Sequence, residues 1–409
     1  MKLILKLAWR NIWRNKRRSL LTLGAICFAT FASIAMRGVQ HGTYAINIKY
    51  AVRLFSGYLQ IQKEGYNDNP SLNKAFGNVK ALEKKLSELK IVKGYAPRIY
   101  ADGLVSYKDN SFGAGIFGVD PQKEKSVITF MSRLNEGRFF TSDTSNNIVI
   151  GYKLLENLKA HIGDEVVILS QGADGSLGNL KFKIVGTIKS GSSDFDAMGV
   201  FMGIKKADEL LAMYGRVHAI AISLNNLEDL EPAKEQIKQL LAGSGLTVLT
   251  WDELMPDFKQ SIEFDNVSGI LYLAILVIIV AFGILNTVLM SVTERFKEFG
   301  ITLAIGMPQV KLMHLVLIET IFITLIGVLL GNIIGYGINT YFIYHPIEFS
   351  GDLAVIYQEY GFLPRIVSSL LPSMFFNTTI TILATSLVSC IYPLYKVFKL
   401  EPLKGIRYT

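Results

Sequence analysis

The side chains able to do covalent or acid–base chemistry are scattered along this chain in patterns that fit no reaction centre. Gly113, Gly115 and Gly118 spell G-x-G-x-x-G in the segment GAGIFG. That spacing serves a dinucleotide only when a helix N-terminus opens behind it to meet the pyrophosphate. Here β-forming residues surround the glycines and Asp120-Pro121 follows. No G-x-x-x-x-G-K-[ST] phosphate loop and no G-x-S-x-G nucleophile elbow occurs. Asp164-Glu165, Asp194 with Asp196, and Asp252-Glu253 sit in Gly- and Ser-containing surroundings typical of turns and solvated charges. His41, His161, His218, His314 and His345 show no metal-ligand spacing. Cys27 and Cys390 fall inside apolar runs, where cysteine behaves as a small packing residue, so no disulfide framework is expected. The expectation is a non-catalytic chain that binds neither a metal nor a cofactor of its own.

A mechanical kind of chemistry is concentrated elsewhere, in Asn286 to Thr320 (NTVLMSVTERFKEFGITLAIGMPQVKLMHLVLIET). Glu294, Arg295, Lys297 and Glu298 follow a long apolar run. Phe299, Ile301, Leu303, Ala304 and Ile305 then form a short apolar helix closed by Gly306 and Pro308. A short amphipathic helix tied directly to two long ones suits docking in a groove of a soluble partner and passing its movement on. An interfacial re-entry helix satisfies the same pattern.

The elements that must position this loop are membrane spans. Half of the 409 residues are hydrophobic, yet 19% are charged, a mixture that implies embedded helices plus a water-exposed domain. Ser19 to Met36 carries no charge and is long enough for about 27 Å of helix. The basic Lys16, Arg17 and Arg18 before it would also suit a signal peptide, but the apolar core is too long for one and amphipathic sequence precedes it. Further spans are expected near Val267 to Val292, Val310 to Ile343 and Pro372 to Val397.

Charge sets the orientation. The net charge is +8, but residues 41–265 hold 26 basic and 27 acidic side chains, so the excess lies at the ends and in one loop. That distribution is one of membrane topology and not of a nucleic-acid surface. Lys2, Lys6, Arg10, Arg14 and Lys16 to Arg18 precede the first span. Arg295, Lys297 and Lys311 lie between the second and third, and Lys396, Lys399, Lys404 and Arg407 follow the fourth. Positive-inside bias places both termini and the loop at 293–309 in the cytoplasm, and residues 42–265 outside. Ahead of the first span, Ile4, Leu5, Ala8, Trp9 and Ile12 share one helical arc and the basic residues the opposite one. This fits an interfacial helix on the anionic leaflet, or plain anchoring.

Residues 42–265 are sized for one or two compact units. Helical periodicity appears at Asn78 to Leu89 and Leu227 to Leu241. Strand patterns occupy Ile148 to Gly151, Glu165 to Leu169, Lys181 to Ile188 and His218 to Leu224. The fold expected is thus an α-helical membrane protein with four transmembrane helices and a large extracytoplasmic α+β domain inserted between the first and second. In numbers, the segments are a cytoplasmic amphipathic helix (1–18), span one (19–41), the domain (42–265), span two (266–292), the cytoplasmic loop (293–309), span three (310–343), an extracytoplasmic loop (344–371), span four (372–397) and a cytoplasmic tail (398–409). Gly327, Gly331 and Gly335 recur every four residues in span three and give it one face that another helix can approach closely, within the chain or across a dimer seam. Glu319, about nine residues into that span, needs a partner or water.

The pattern V-x-E-R-x-x-E-x-G-x-x-x-A-x-G from Val292 to Gly306 resembles the coupling helix of type VII ABC transporter permeases, the MacB/FtsX-like superfamily. WRNIWRNKRRSLLTLGAI resembles their opening and YPLYKVFKLEPLKGIRY their closing segment. SGYLQIQ, GVDPQKE, EGRFF, IVIGYKLLENLKAHIGDEVVIL, KIVGTIKSG with DFD, and TWDEL are most similar to the lipoprotein-releasing (Lol-type) permeases. The resemblance implies a bacterial inner-membrane protein that transmits energy. Its partners would be an ABC ATPase dimer carrying the ATP and Mg, a second permease (itself or a homologue), a lipoprotein substrate and a periplasmic carrier. Glu294, Arg295, Glu298, Gly300, Ala304 and Gly306 match the motif for coupling to the ATPase. Within the superfamily, an efflux permease working with an outer-membrane duct and a regulator of an extracytoplasmic hydrolase or sensor remain open alternatives.

Overall fold

The computed structural model describes residues 2–52, 56–128, 130–359 and 362–402; the expected basic tail residues Lys404 and Arg407 and the end of the closing motif lie outside them. Two helices open the chain, α1 (Lys2–Arg14) and α2 (Lys16–Ala51), separated at Asn15. The basic triplet Lys16 to Arg18 is therefore the first turn of the long helix rather than the end of the short one. The α2 helix also runs ten residues past the expected limit of span one at 41, since nothing from Gly42 to Ala51 (GTYAINIKYA) interrupts a helix.

A strand-rich stretch follows. It comprises β1 (Leu59–Lys63), α3 (Val79–Ser87), β2 (Val92–Tyr107), β3 (Asn110–Val119), α4 (Pro121–Val127), β4 (Leu134–Gly137), β5 (Asn147–Gly151), α5 (Tyr152–Leu158), β6 (Glu165–Gln171), β7 (Leu177–Ile188), α6 (Ser193–Met198), β8 (Gly199–Gly203), α7 (Ile204–Leu211), β9 (Ala219–Leu224), α8 (Leu230–Leu240), β10 (Leu246–Thr250) and α9 (Trp251–Leu254). The remainder is α10 (Pro256–Glu294), α11 (Phe296–Ala304), α12 (Gln309–Tyr344), β11 (Ile347–Glu348), α13 (Asp352–Glu359), β12 (Arg365–Ile366) and α14 (Pro372–Phe398). The segment expected as an extracytoplasmic loop at 344–371 thus contains a helix and a two-stranded ladder.

The chain divides into two compact units. One comprises Met1–Ala45, Ser261–Glu348 and Arg365–Thr409; the other comprises Ile46–Gln260 with Phe349–Pro364. In the second unit all ten long strands join one sheet, ordered β10-β1-β9-β2-β3-β8-β5-β7-β4. Strand β6 pairs with both β2 and β7, so the pairings β2-β3-β8-β5-β7-β6-β2 close into a ring. Within the ring no strand is left as an edge, and the sheet's two edge strands are the short β10 and β4. Ile61, Leu86, Ile99, Ile116, Ile150 and Phe182 are among the fully buried side chains of its core. The segment GAGIFG lies inside β3, paired along its length with β2 and from Gly115 onward with β8.

The helical unit is built the other way round. Helices α2, α10, α12 and α14 are each long and apolar enough to cross a membrane. Their large apolar side chains face outward, as Phe264, Leu271, Ile279 and Phe282 do on α10. Such a surface suits lipid and not water. Where helices meet, buried Val, Ile and Leu alternate with small and hydroxyl side chains, which allow close approach and hydrogen bonds where hydrophobic drive is absent. Thr22 donates to Thr287 (2.9 Å), Thr324 shares a hydrogen bond with Ser386 (2.6 Å), and Asn332 donates to Thr379 (3.1 Å).

The α2–α12 seam is a ladder. A Cβ on Gly327 would fall 2.8 Å from Ile26 Cγ2, one on Gly331 2.5 Å from Thr30 Cβ, and one on Gly335 2.9 Å from Ile34 Cγ2. One rung further on, Asn339 donates to the Ile34 carbonyl and accepts from Ser368. Both helices advance by four residues per rung in the same direction, so α2 and α12 run parallel.

Candidate functional site

The connection between α10 and α12 is short and stiff. Helix α10 stops at Glu294, and Arg295 alone separates it from α11. Helix α11 ends where Gly306 takes φ +102°, backbone that a side chain would strain. Backbone N–H groups of Ile305, Gly306 and Met307 close its last turn on Ile301, Leu303 and Thr302 carbonyls. Pro308 then opens α12. A nine-residue helix is thereby held between two membrane-length helices with little slack.

Arg295 is the hub. Its Nη1 donates to both oxygens of Glu319 (2.9 and 3.2 Å), its Nε donates to Glu298 Oε2 (3.3 Å), and its guanidinium lies 4.9 Å from the centre of the Phe299 ring. Both Arg295 and Glu319 side chains are 12% exposed, so the pair is largely desolvated and each charge depends on the other. Asn11 Nδ2 from α1 donates to the same Glu319 carboxylate. Arg14 Nη2 reaches the Glu298 carboxylate at 3.0 Å, and Arg18 pairs with Glu294. Burial pushes the Glu298 carboxyl up. The hydrogen bond and charge of Arg14, followed by those of Arg295, outweigh this and hold it below the usual carboxylate range.

These contacts join four pieces of chain: α1, the start of α2, the α10–α11 junction and the first turns of α12. The α1 helix contributes packing as well as polar groups. Ala8 and Ile12 are buried, and Trp9 meets Phe322 of α12 edge-on at 6.1 Å. Part of the apolar arc expected to lie on a leaflet is therefore seated on α12.

Helix α11 has two faces. Phe299 and Gly300 are buried, whereas Lys297, Ile301, Ala304 and Ile305 form an exposed stripe, Ile305 being 82% exposed. An exposed apolar stripe beside charged residues, on a rigidly held helix, can fill a partner's groove.

Of the residues singled out in the sequence, Glu294, Arg295 and Glu298 come together in the network. Gly300 lies on the buried face, Ala304 on the exposed face and Gly306 in the terminating turn. Gly327, Gly331 and Gly335 are not part of this site; they pack on α2. Asn11, Arg14 and Arg18 were missed as members. Their basic neighbours read as membrane anchors, and nothing in the local pattern ties residue 11 to residue 319. Glu319 did carry a signal, as a carboxylate within an apolar run.

Comparison with known proteins bears on both units. The family model described as the MacB-like periplasmic core domain matches residues 19–240, and that of the FtsX-like permease C-terminal region matches residues 270–402. An uncharacterised ABC transporter permease of Methanocaldococcus jannaschii is 25% identical over 81% of this chain and 82% of its own. The lipoprotein-releasing system transmembrane protein LolC of Neisseria meningitidis is 21% identical over 97% of both chains. The macrolide export ATP-binding/permease protein MacB of Chlorobium luteolum is 23% identical over 98% of this chain and 59% of its own length.

Proposed function

The chain belongs to the MacB- and FtsX-like family of ABC transporter permeases, and from that premise we propose that it couples ATP hydrolysis by a separate ATPase to the release of lipoproteins from a bacterial inner membrane. In this reading α11 is the coupling helix. Its stripe of Lys297, Ile301, Ala304 and Ile305 docks on the ATPase, and the network around Arg295 passes the ATPase's closing movement to α1, α10 and α12 together. Both termini and α11 face the cytoplasm, and the sheet domain faces the periplasm, where it meets the lipoprotein or its carrier. The ATPase chains hold ATP and Mg, and a second permease, a copy or a homologue, completes the complex.

The observation that carries this reading is the pairing of an exposed apolar stripe on α11 with a nearly buried hub, Arg295–Glu319, that ties the same helix to its neighbours. A helix that only lined the interface would need the stripe and not the hub. Similarity to the lipoprotein-releasing transmembrane protein over 97% of both chains supports lipoprotein release, and similarity to the macrolide export protein over 98% of this chain supports efflux as the second reading.

The test is a mild-detergent pull-down of the tagged full chain from its native membrane, with mass spectrometry of what stays bound, comparing wild type with Ile301→Asp/Ile305→Asp. Recovery of an ATPase chain and lipoproteins with wild type, and loss of the ATPase from the variant, is the expected result. Retention of the ATPase by the variant would overturn the docking role of α11. Companions consisting of a duct protein or a hydrolase would overturn lipoprotein release.

A further inference from the structure

Three of the membrane-length helices, α2, α10 and α14, enclose a cavity of about 300 Å³ that coupling does not use. Ser33, Arg37 and His41 of α2 line it at four-residue spacing, with Leu273 of α10 on a second wall and Asn377 and Thr378 of α14 on a third. The volume is that of a small-ligand site. No carboxylate lines it.

Arg37 follows directly on the uncharged run from Ser19 to Met36, the level at which a span meets the headgroups. Its Nη1 donates to Gln40 Oε1 (3.0 Å) and Asn266 Oδ1 (2.8 Å), both neutral acceptors. Among the described residues it makes no ion pair, and its other N–H groups have no partner. Asp265, in the same network, accepts instead from the Gln40 amide and the Tyr44 hydroxyl. An arginine in a membrane span is costly unless something supplies the opposite charge. Ser33 is only 3% exposed, yet its hydroxyl makes no hydrogen bond among the described residues and is not sealed from the cavity.

We propose that this cavity holds the phosphate of an anionic phospholipid. Arg37 presents its free N–H groups to the phosphate oxygens, for which a planar guanidinium is suited. Ser33 donates to the same phosphate, and Asn377 and Thr378 meet the hydroxyls of a glycerol headgroup. A zwitterionic lipid is disfavoured because its ammonium finds no carboxylate in the lining. The acyl chains run along exposed apolar side chains on either side, Ile270 and Leu271 of α10 and Phe376 and Ile380 of α14. Basic pockets between spans recognise acidic headgroups in this way. The proposal rests on these helices being spans and not on the cargo or on the docking of α11. Arg37 lies well beyond Arg18 along α2, by about 28 Å of helix.

Native mass spectrometry of the full chain in mild detergent tests this, with palmitoyl-oleoyl phosphatidylglycerol, the matching phosphatidylcholine and glycerol 3-phosphate as probes. The expected result is that the chain retains phosphatidylglycerol in preference to phosphatidylcholine and that glycerol 3-phosphate does not displace it. Arg37→Met should need roughly tenfold more phosphatidylglycerol for the same occupancy, the worth of one charge-assisted hydrogen bond, and should bind the two lipids equally. Should Arg37→Met fail to fold, Asn377→Trp decides. Asn377 is exposed, so the change fills the mouth of the cavity without disturbing buried packing, and retention of phosphatidylglycerol should fall. Equal retention of both lipids by wild type, or unchanged retention by either variant, would overturn the proposal. Displacement by glycerol 3-phosphate would overturn it too, by making a water-soluble phosphate ester the ligand.

Discussion

Among the described residues, each unit holds one nearly buried arginine–glutamate pair, and the two are built to different ends. In the sheet domain Arg98 Nε and Nη2 meet the two oxygens of Glu124 at 2.6 and 3.0 Å, with the side chains 4% and 2% exposed. Strand β2 supplies the arginine and α4 the glutamate, and Asp120 caps that helix by accepting from the Gln122 and Lys123 N–H groups. The pair clamps a short helix to the strand. In the helical unit Arg295 and Glu319 are both 12% exposed, and neither ends its contacts there: Glu319 also receives Asn11, and Arg295 also holds Glu298, which holds Arg14. Arg98 Nη1 also donates to the Tyr100 hydroxyl (3.4 Å), two residues along the same strand. A closed pair, whose further contact stays this local, fixes one geometry, whereas a pair chained across helices makes several of them respond together.

That contrast is broken most severely from the closed side. Arg98→Ala leaves the Glu124 carboxylate buried without its partner, an error worth about 3–5 kcal/mol. Denaturant unfolding of the sheet domain within the full chain should register it. The double change Arg98→Met/Glu124→Leu should recover most of the loss, because an apolar pair of similar volume avoids the desolvation of two charges. Failure of the double variant to recover would mean that the pair is more than a clamp.

A second buried polar group in the same domain titrates. His218 Nδ1 accepts from the Tyr100 N–H (3.0 Å) and Nε2 faces the Leu72 carbonyl (3.2 Å), with Tyr66 stacked on the ring. Nδ1 thus has no room for a proton. Burial pushes the imidazole down to about 4, against a smaller upward pull from the Leu72 carbonyl. The unfolded chain takes up this proton near pH 6.5 and the folded chain only near 4. Stability is therefore intact above pH 6.5 and falls as pH drops between the two values, by about 3 kcal/mol in all. Unfolding midpoints measured from pH 7 to 4 should follow that slope, and His218→Gln should flatten it.

The chained pair predicts a smaller loss of stability and a larger loss of function. Arg295→Met should cost about 1–3 kcal/mol, since Asn11 still serves Glu319. Transport-coupled ATPase activity of the assembled complex should nevertheless fall roughly tenfold, within the range of typical coupling energies. The pairing is tested by the exchange Arg295→Glu/Glu319→Arg, which should restore part of that activity. Activity that tracks stability alone in these variants would reduce the hub to a second clamp.

How much of this was legible in the sequence follows from the range of the interactions. The four long helices and the short helix at Phe296–Ala304 are local patterns of hydropathy and of Gly and Pro, and local patterns can be read. Strand β2, sixteen residues long, could not, because Gly94, Pro97 and Gly103 read as breakers. Gly94 sits at a register shift against β9, and a Cβ on Gly103 would fall 2.6 Å from the Leu169 carbonyl oxygen, so the breakers serve tertiary contacts. The same limit applied at the site. Glu294, Arg295 and Glu298 stand in one motif, while Asn11 and Glu319 are separated by 308 positions and meet because α1 packs on α12.

The weakest link of the chained pair sharpens the comparison furthest. Arg14 and Glu298 are 53% and 52% exposed, and exposed pairs contribute only about 0.2–1 kcal/mol. Arg14→Ala should therefore leave the unfolding midpoint almost unmoved. Because Arg14 and Arg295 hold the Glu298 carboxyl below its ordinary value, the contribution of the tie is present above the carboxylate range. It is lost as pH falls through the lowered value, and wild type and Arg14→Ala should converge there. Yet Arg14 is where α1 reaches α11, so raising the ionic strength should weaken coupling in wild type and have little further effect in Arg14→Ala, since salt screens exposed charges far more than the desolvated Arg295–Glu319 pair. Equal salt sensitivity in the two proteins would mean that α1 stands outside the linkage and that movement passes from α11 to α12 through Arg295 alone.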